Sequence, residues 1–207
     1  MIPYADIVMS VSKSAIMWSR QHYGFLAPAV YMPNCSAYAM DKVSACVKER
    51  RDESIRIYYH GMCDPSRGLA ELLAAVKVSK RFRLVLRCLP SEYLEELKEM
   101  ASSMGMEEQV TFLDPVPSEQ ILYAARRDGD IGFAFCQTGQ CLNWRFALQN
   151  KFIEYTKAGL AVITSDTAEQ GSIIRDYQFG WVLEENSVQG IERVFDRIWK
   201  ERNSLPD

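Results

Sequence analysis

Short β-branched and aromatic runs alternate with stretches of helical periodicity along nearly the whole chain, and this alternation restricts the fold more than any other feature. Ile55-Arg-Ile-Tyr-Tyr-His60, Arg83-Leu-Val-Leu-Arg87, Gln109-Val-Thr-Phe-Leu113, Asp130-Ile-Gly-Phe-Ala-Phe135, Ala161-Val-Ile-Thr164 and Trp181-Val-Leu183 read as strands. Helices are expected from about Gly68, with Leu69, Leu72, Leu73 and Val76 on one face, from Ser91 to Met104, after Pro117, over Lys151–Lys157 with Asn150 as cap, and after the last two strands. Upstream, Ile7–Ser12 and Ala29–Met32 read as strands flanking a helix that Ser12 caps and Gly24 ends; a helix over roughly Tyr38–Arg50 is also expected. Apolar strands alternating with helices imply a doubly wound, Rossmann-like parallel sheet covered on both faces. Ligands of such sheets bind at the C-terminal ends of the strands. The loops of interest therefore begin at Gly61, Cys88, Asp114, Cys136 and Ser165. The Pro33-Asn34 turn suggests a boundary, with an arm over 1–34 and the regular series over 35–207.

Composition narrows the function classes. A chain of 207 residues with 48% apolar and 25% charged residues has the make-up of a globular protein with one substantial core. A net charge of −3 supplies no electrostatic drive toward nucleic acid. No run of about 18 apolar residues is present, and the N-terminal residues do not read as a secretion signal. The expectation is a cytoplasmic protein, or one peripheral to the inner face of a membrane, with reduced thiols. The six cysteines lack C-x-x-C spacing and a nearby His pair, which argues against zinc. Cys136 and Cys141 bracket a Gly-containing loop and are the pair whose spacing would permit a disulfide. Neither G-x-G-x-x-G nor G-x-x-x-x-G-K-[ST] occurs, so the classical dinucleotide and P-loop readings fail on residues. His22 and His60 have no metal-like neighbour and no nucleophile nearby in sequence.

Three segments are suited to a phosphorylated ligand. In His60-Gly-Met-Cys-Asp-Pro-Ser-Arg-Gly68 a strand ends in a turn, Gly61 lets the backbone approach a ligand, and Arg67 offers a planar fork to phosphate oxygens. Lys151 and Glu154 lie in the first turn of an otherwise apolar helix, whose free N–H groups and positive dipole end suit an anion. On their own, these two residues would equally read as an exposed i,i+3 ion pair. Cys136-Gln-Thr-Gly-Gln-Cys-Leu-Asn143 is a long loop after a central strand, and its backbone around Gly139 can wrap a ligand.

These segments resemble a known family. Asn150-Lys-Phe-Ile-Glu-Tyr155 through Ala158-Gly-Leu-Ala-Val-Ile-Thr-Ser-Asp166 is similar to the N-K-[LF]-F-E-Y…A-G-L-P-V-[IV]-x-S-D region of GT-B glycosyltransferases of family 4. Arg67 falls on the basic position of the family's G-x-x-x-x-[KR]-G loop. Ala5–Ser12, Tyr31-Met-Pro-Asn34 and Gly180-Trp-Val-Leu183 resemble further pieces of the family in the expected order. The resemblance implies a chain that is the C-terminal, donor-binding half of a retaining glycosyltransferase. Its donor would be a nucleotide-diphosphate sugar, with no other cofactor or metal. Gly61, Arg67, Gly139, Asn150 and Lys151 would hold the diphosphate and sugar, and Glu154 the ribose. A separate N-terminal acceptor-domain subunit or a second copy of the chain would complete it; the chain alone would transfer little or no sugar. Departures from the pattern fall at Met62, where an Arg is common, at Phe146, where the E-x7-E motif has its first Glu, and at Asp114, where a Gly is usual. They keep open two alternatives: a non-catalytic interaction module with a decayed donor site, and a phosphosugar- or nucleotide-binding protein of another doubly wound family.

Overall fold

A computed structural model describes residues 4–35, 53–139, 141–185 and 187–202. The helix expected over Tyr38–Arg50 lies outside the described residues. The arm is a β-α-β unit in which β1 (Val8–Ser10) pairs in parallel with β2 (Ala29–Tyr31) and α1 (Lys13–Tyr23) connects them. Both strands are shorter than their apolar runs. The termini of α1 are set by its sequence: the Ser12 hydroxyl accepts from the N–H of Ala15, and Gly24 adopts the left-handed conformation (φ 63°) that ends the helix.

The main sheet has six strands: β3 (Ile55–Gly61), β4 (Phe82–Cys88), β5 (Val110–Leu113), β6 (Ile131–Ala134), β7 (Ala161–Ser165) and β8 (Gly180–Leu183). Their order is β5-β4-β3-β6-β7-β8 and every pairing is parallel. The connecting helices are α2 (Leu69–Val78), α3 (Glu92–Ser103), α4 (Ile121–Asp128), the single-turn α5 (Leu142–Arg145), α6 (Asn150–Lys157), α7 (Gln170–Tyr177) and α8 (Val188–Glu201). Short 3₁₀ turns precede α2 and α4. This is the doubly wound, Rossmann-like arrangement expected from the alternation. Among the described residues no helix is long and apolar enough to cross a membrane.

Two cores form, one on each face. Leu69, Leu72, Leu73 and Val76 of α2 pack with α3 and α8 against Ile57, Tyr59 and Leu84. On the other face Ala125 of α4, Phe152 and Tyr155 of α6 and Ile174 of α7 pack on Tyr58, Val85 and Val162. Alternation along β3 sends Ile57 and Tyr59 to the first face and Tyr58 to the second. Gly132 of β6 permits α6 to lie directly on the strand, because a Cβ there would sit 2.2 Å from Tyr155 Cδ2.

The strand order reverses between β3 and β6. β4 stays paired with β3 through Gly61↔Cys88, whereas β6 pairs with β3 only at Ile57 and Tyr58. Beyond Tyr58 the sheet opens into a crevice at its C-terminal edge, the place where open parallel sheets bind ligands.

Candidate functional site at the opening of the sheet

The crevice is built from the end of β3, the loop that follows it, and the first turn of α6. Gly61 ends β3 at φ 109°, a conformation that side chains rarely adopt. The Lys151 ammonium crosses the crevice from α6. It lies 3.6 Å from the centroid of the Tyr59 ring, and a Cβ on Gly61 would be 3.8 Å from it. Burial, reinforced by the nearby Arg67 guanidinium, holds the Lys151 pKa well below the usual lysine range. A buried cation so disfavoured gains from an anion that restores its charge.

Arg67 reaches the same region from the 3₁₀ turn Pro65–Arg67. Its Nε donates to Asp64 Oδ2 at 3.0 Å, and its guanidinium lies 5.8 Å from the Trp144 ring centroid. Asp64 also accepts from the Ser66 N–H at 2.9 Å, which fixes the turn. These bonds, with the arginine beside it, hold the Asp64 carboxyl below its ordinary range against the opposing cost of burial. The donor side of Arg67 is thus oriented by a carboxylate while part of the fork remains open to a ligand.

Glu154 does not pair with Lys151. Its Oε2 lies 2.8 Å from His60 Nε2, so the exposed i,i+3 ion pair that the spacing alone would permit is not formed. His60 is buried, and its ring meets those of Tyr58 and Tyr155 edge-on at 5.6 and 4.9 Å. Its backbone N–H donates to the Tyr155 hydroxyl at 3.0 Å. Burial lowers the His60 pKa, against the opposing pull of Glu154. His60 and Tyr155 were not legible as site residues: 94 positions separate His60 from Glu154, and only the crossover through α6 joins them.

Asn150 differs from its expected role. It is the first helical residue rather than the cap, which is Gln149, and Gln149 makes no side-chain cap bond. Asn150 Oδ1 instead accepts from Asn34 Nδ2 at 2.7 Å, which ties the end of the arm to the helix start. The start of α6 is anchored from beneath: Gln149 N–H donates to the buried Gln170 side chain at 2.7 Å, and Gln149 Nε2 donates to Ala134 O at 3.0 Å. An uncapped start leaves the first N–H groups of α6 without intrahelical acceptors at the crevice.

Gly139 is set apart from this group. It lies on a turn in a neighbouring open cleft of about 790 Å³, lined by Thr138, Gly139, Leu142, Arg145, Phe146 and Asp166 among others. Gly61, Arg67, Lys151 and Glu154 do not line that cleft; Trp144, beside Arg67, belongs to the same stretch of chain as the cleft residues Leu142 and Arg145. Phe146 packs on Trp18 of α1 with centroids 5.8 Å apart. Met62 is exposed. The Asp114 carbonyl accepts from buried Arg87, which also pairs with Asp128 at 2.7 Å.

The thiols depart from expectation. Cys63 and Cys88 form a disulfide, whereas Cys136 and Cys141 are free. The cause is topological: the loop after Gly61 folds back over the end of β4, bringing two Cα atoms distant in sequence to 6.0 Å. Buried Cys136 instead joins β6 to β7, its N–H donating to Ser165 Oγ and its carbonyl accepting from the same hydroxyl, both at 2.8 Å.

The fold is shared with solved glycosyltransferases. Sucrose-phosphate synthase from Thermosynechococcus elongatus superposes with a TM-score of 0.74 at 15% identity, covering 98% of this chain and 51% of the other. HepE from Anabaena, solved in complex with UDP, gives 0.72 at 14% identity, covering 99% and 57%. α,α-Trehalose 6-phosphate synthase from Burkholderia multivorans gives 0.67 at 12%, covering 99% and 53%. The chain spans about half the length of each of these structures. No curated protein matches it. The model of the family described as "Glycosyl transferases group 1" matches residues 46–206, more than three quarters of the sequence. This chain therefore belongs to the group 1 glycosyl transferases.

Proposed function

We propose that the chain is the donor-binding half of a retaining, family 4 type GT-B glycosyltransferase and binds a nucleotide-diphosphate sugar in the crevice between β3 and β6. Arg67 and Lys151 take the diphosphate, assisted by the first N–H groups of α6 and by the close approach that Gly61 permits. Glu154 accepts hydrogen bonds from the ribose hydroxyls. The loop around Gly139 faces the sugar. During transfer the two cations stabilise charge developing on the departing diphosphate. An acceptor-binding domain completes the transferase, and 1–34 serves as the arm that meets it. The chain alone transfers little sugar.

The observation that most supports this reading is the meeting of Lys151, Arg67 and Gly61 with Glu154 at the opening of the sheet. HepE, with its bound UDP, shares the fold. A thermal-shift titration with UDP, GDP, ADP and their common sugar conjugates tests it, on the wild type and on Glu154→Ala. Linkage gives about 2.7 kcal/mol of stabilisation at a ligand concentration 100 times the dissociation constant. A base-selective shift that Glu154→Ala removes is expected. The absence of a shift with every nucleotide would refute donor binding.

Three observations favour a second reading, a non-catalytic interaction module. Ile7, Met9, Val30 and Met32 are exposed along β1 and β2, Met62 presents no cation, and Phe146 packs on the arm. In that case no nucleotide would bind, and the arm would remain available to a protein partner.

A further inference from the structure

We propose that His60 is the positioning residue for ribose recognition: its Nε2–H holds one oxygen of Glu154 so that the other is presented to the ribose hydroxyls. This rests on the assignment of Glu154 to the ribose.

The ring is itself fixed on several sides. His60 is 6% exposed, packs edge-on against Tyr58 and Tyr155, and has its backbone N–H held by the Tyr155 hydroxyl at 3.0 Å. Glu154, by contrast, is partly exposed one turn into α6, whose first turn holds no acidic residue although the sequence suggests one, and its 2.8 Å bond to His60 is its only side-chain hydrogen bond among the described residues. A glutamate side chain has three rotatable bonds, so fixing it costs conformational entropy that a ligand must otherwise meet on binding. His60 removes part of that cost before the nucleotide arrives.

The tautomer follows from the chemistry of the partners. An ionised carboxylate only accepts, so Nε2 carries the proton that is shared with Glu154. His60 Nδ1 is buried without a hydrogen-bond partner among the described residues, and a protonated ring would leave a second N–H there unmatched. The neutral Nε2–H form leaves only a lone pair unmatched at Nδ1 instead of a charged N–H, and burial works in the same direction. A neutral donor orients Glu154 without cancelling its charge, which leaves the free oxygen a full-strength acceptor for hydroxyl groups.

The test compares two ligands on four proteins. The ligands are whichever of UDP, GDP and ADP binds best and its 2′,3′-dideoxy counterpart. The proteins are the wild type, Glu154→Ala, His60→Phe and His60→Gln, with dissociation constants from calorimetry. The wild type is expected to prefer the ribose form about tenfold or more, as hydrogen bonds to a charged group imply. Glu154→Ala and His60→Phe should bring that preference to within about twofold of unity while binding of the dideoxy ligand stays within about threefold. His60→Gln, which restores an N–H donor near Nε2, should recover most of the preference. If His60→Phe does not fold, His60→Asn replaces it, its amide being too short to reach Glu154. A preference unchanged in the donor-free variant overturns the role of His60. A wild type that binds both ligands equally, or neither, overturns the ribose assignment of Glu154 and the proposal with it.

Discussion

Tyr155→Phe isolates the contribution of a single hydroxyl to the end of β3. The Tyr155 ring is fully buried between Tyr58 and His60, and phenylalanine retains that packing. What disappears is the acceptor, 3.0 Å from the His60 N–H. This N–H belongs to the stretch of β3 beyond Tyr58, where β6 no longer pairs, so no strand takes over the bond. Leaving a buried donor unmatched costs about 1–3 kcal/mol, and the substitution returns part of the desolvation of the hydroxyl. The expected net loss is about 1–2 kcal/mol. At about 2–4 °C per kcal/mol for a chain of this size, the melting temperature should fall by roughly 2–8 °C. The effect has a built-in pH control. Burial raises the Tyr155 pKa well above its ordinary value, so stability from the neutral phenol is fully present below the unfolded pKa of about 10 and is lost only above it. The difference between wild type and variant should therefore be constant from about pH 6 to 9. Urea denaturation followed by tryptophan fluorescence gives both the loss and its pH dependence. A difference under about 0.5 kcal/mol, the range of an ordinary surface substitution, would refute the claim that this hydroxyl closes the open edge of β3.

Three further outcomes are expected. Gly132→Ala would place a Cβ 2.2 Å from Tyr155 Cδ2, forcing α6 from the sheet; a loss of about 1–3 kcal/mol or more in the same denaturation assay is expected. Gly68→Ala combines a left-handed backbone (φ 63°) with a Cβ 2.7 Å from Phe135 Cδ1, so it should cost about 1–2 kcal/mol for the backbone alone and more for the clash, read as a lower thermal midpoint. Because the folded Lys151 pKa lies well below its unfolded value, the unfolded chain binds the extra proton between the two, and stability of the nucleotide-free protein should rise with pH through that window; Lys151→Met should abolish the rise, seen as flat midpoints in a pH series.

Much of the fold was legible because its cues are local. Apolar strands, Ser12 as a helix cap, Gly24 as a helix stop and the stripe Leu69, Leu72, Leu73, Val76 are all decided within a turn or two of their own sequence. Errors arose where a side chain had a more distant partner. Asn150 had the residue type of a cap, but its side chain meets Asn34 across 116 positions, and the helix begins one residue earlier. The cysteine pairing was missed for the same reason. Spacing drew attention to Cys136 and Cys141, whereas pairing of β3 with β4 in register brings Cys63 to Cys88. Within the candidate site, the charged residues Arg67, Lys151 and Glu154 stood out as chemistry at strand and helix ends. The neutral residues that orient them, Tyr59, His60 and Tyr155, look like ordinary core in sequence and acquire their role only where the sheet opens.

The departures from the family pattern are unevenly distributed, and that asymmetry bears on the choice between a working and a decayed site. Met62 and Phe146 stand where the resemblance places cationic and acidic groups around the outer phosphate and the sugar, and Phe146 is now occupied by its packing on Trp18. A third departure, Asp114, lies in the loop after β5, but the residues assigned to the diphosphate and the ribose in α6 are kept. Lys151 has a Tyr59 ring beneath it, Glu154 has a buried His60 to hold it, and His60 has Tyr155. Maintaining a neutral histidine with an unmatched Nδ1 against a carboxylate costs stability, and an apolar residue at position 60 would avoid that cost in a site with no remaining use. The balance therefore favours retained nucleotide recognition with altered sugar recognition. On that basis nucleoside diphosphates should bind nearly as tightly as their sugar conjugates: a conjugate bound more than about tenfold tighter, or about 1.4 kcal/mol, would place the missing sugar contacts elsewhere in the chain and overturn this reading of Phe146.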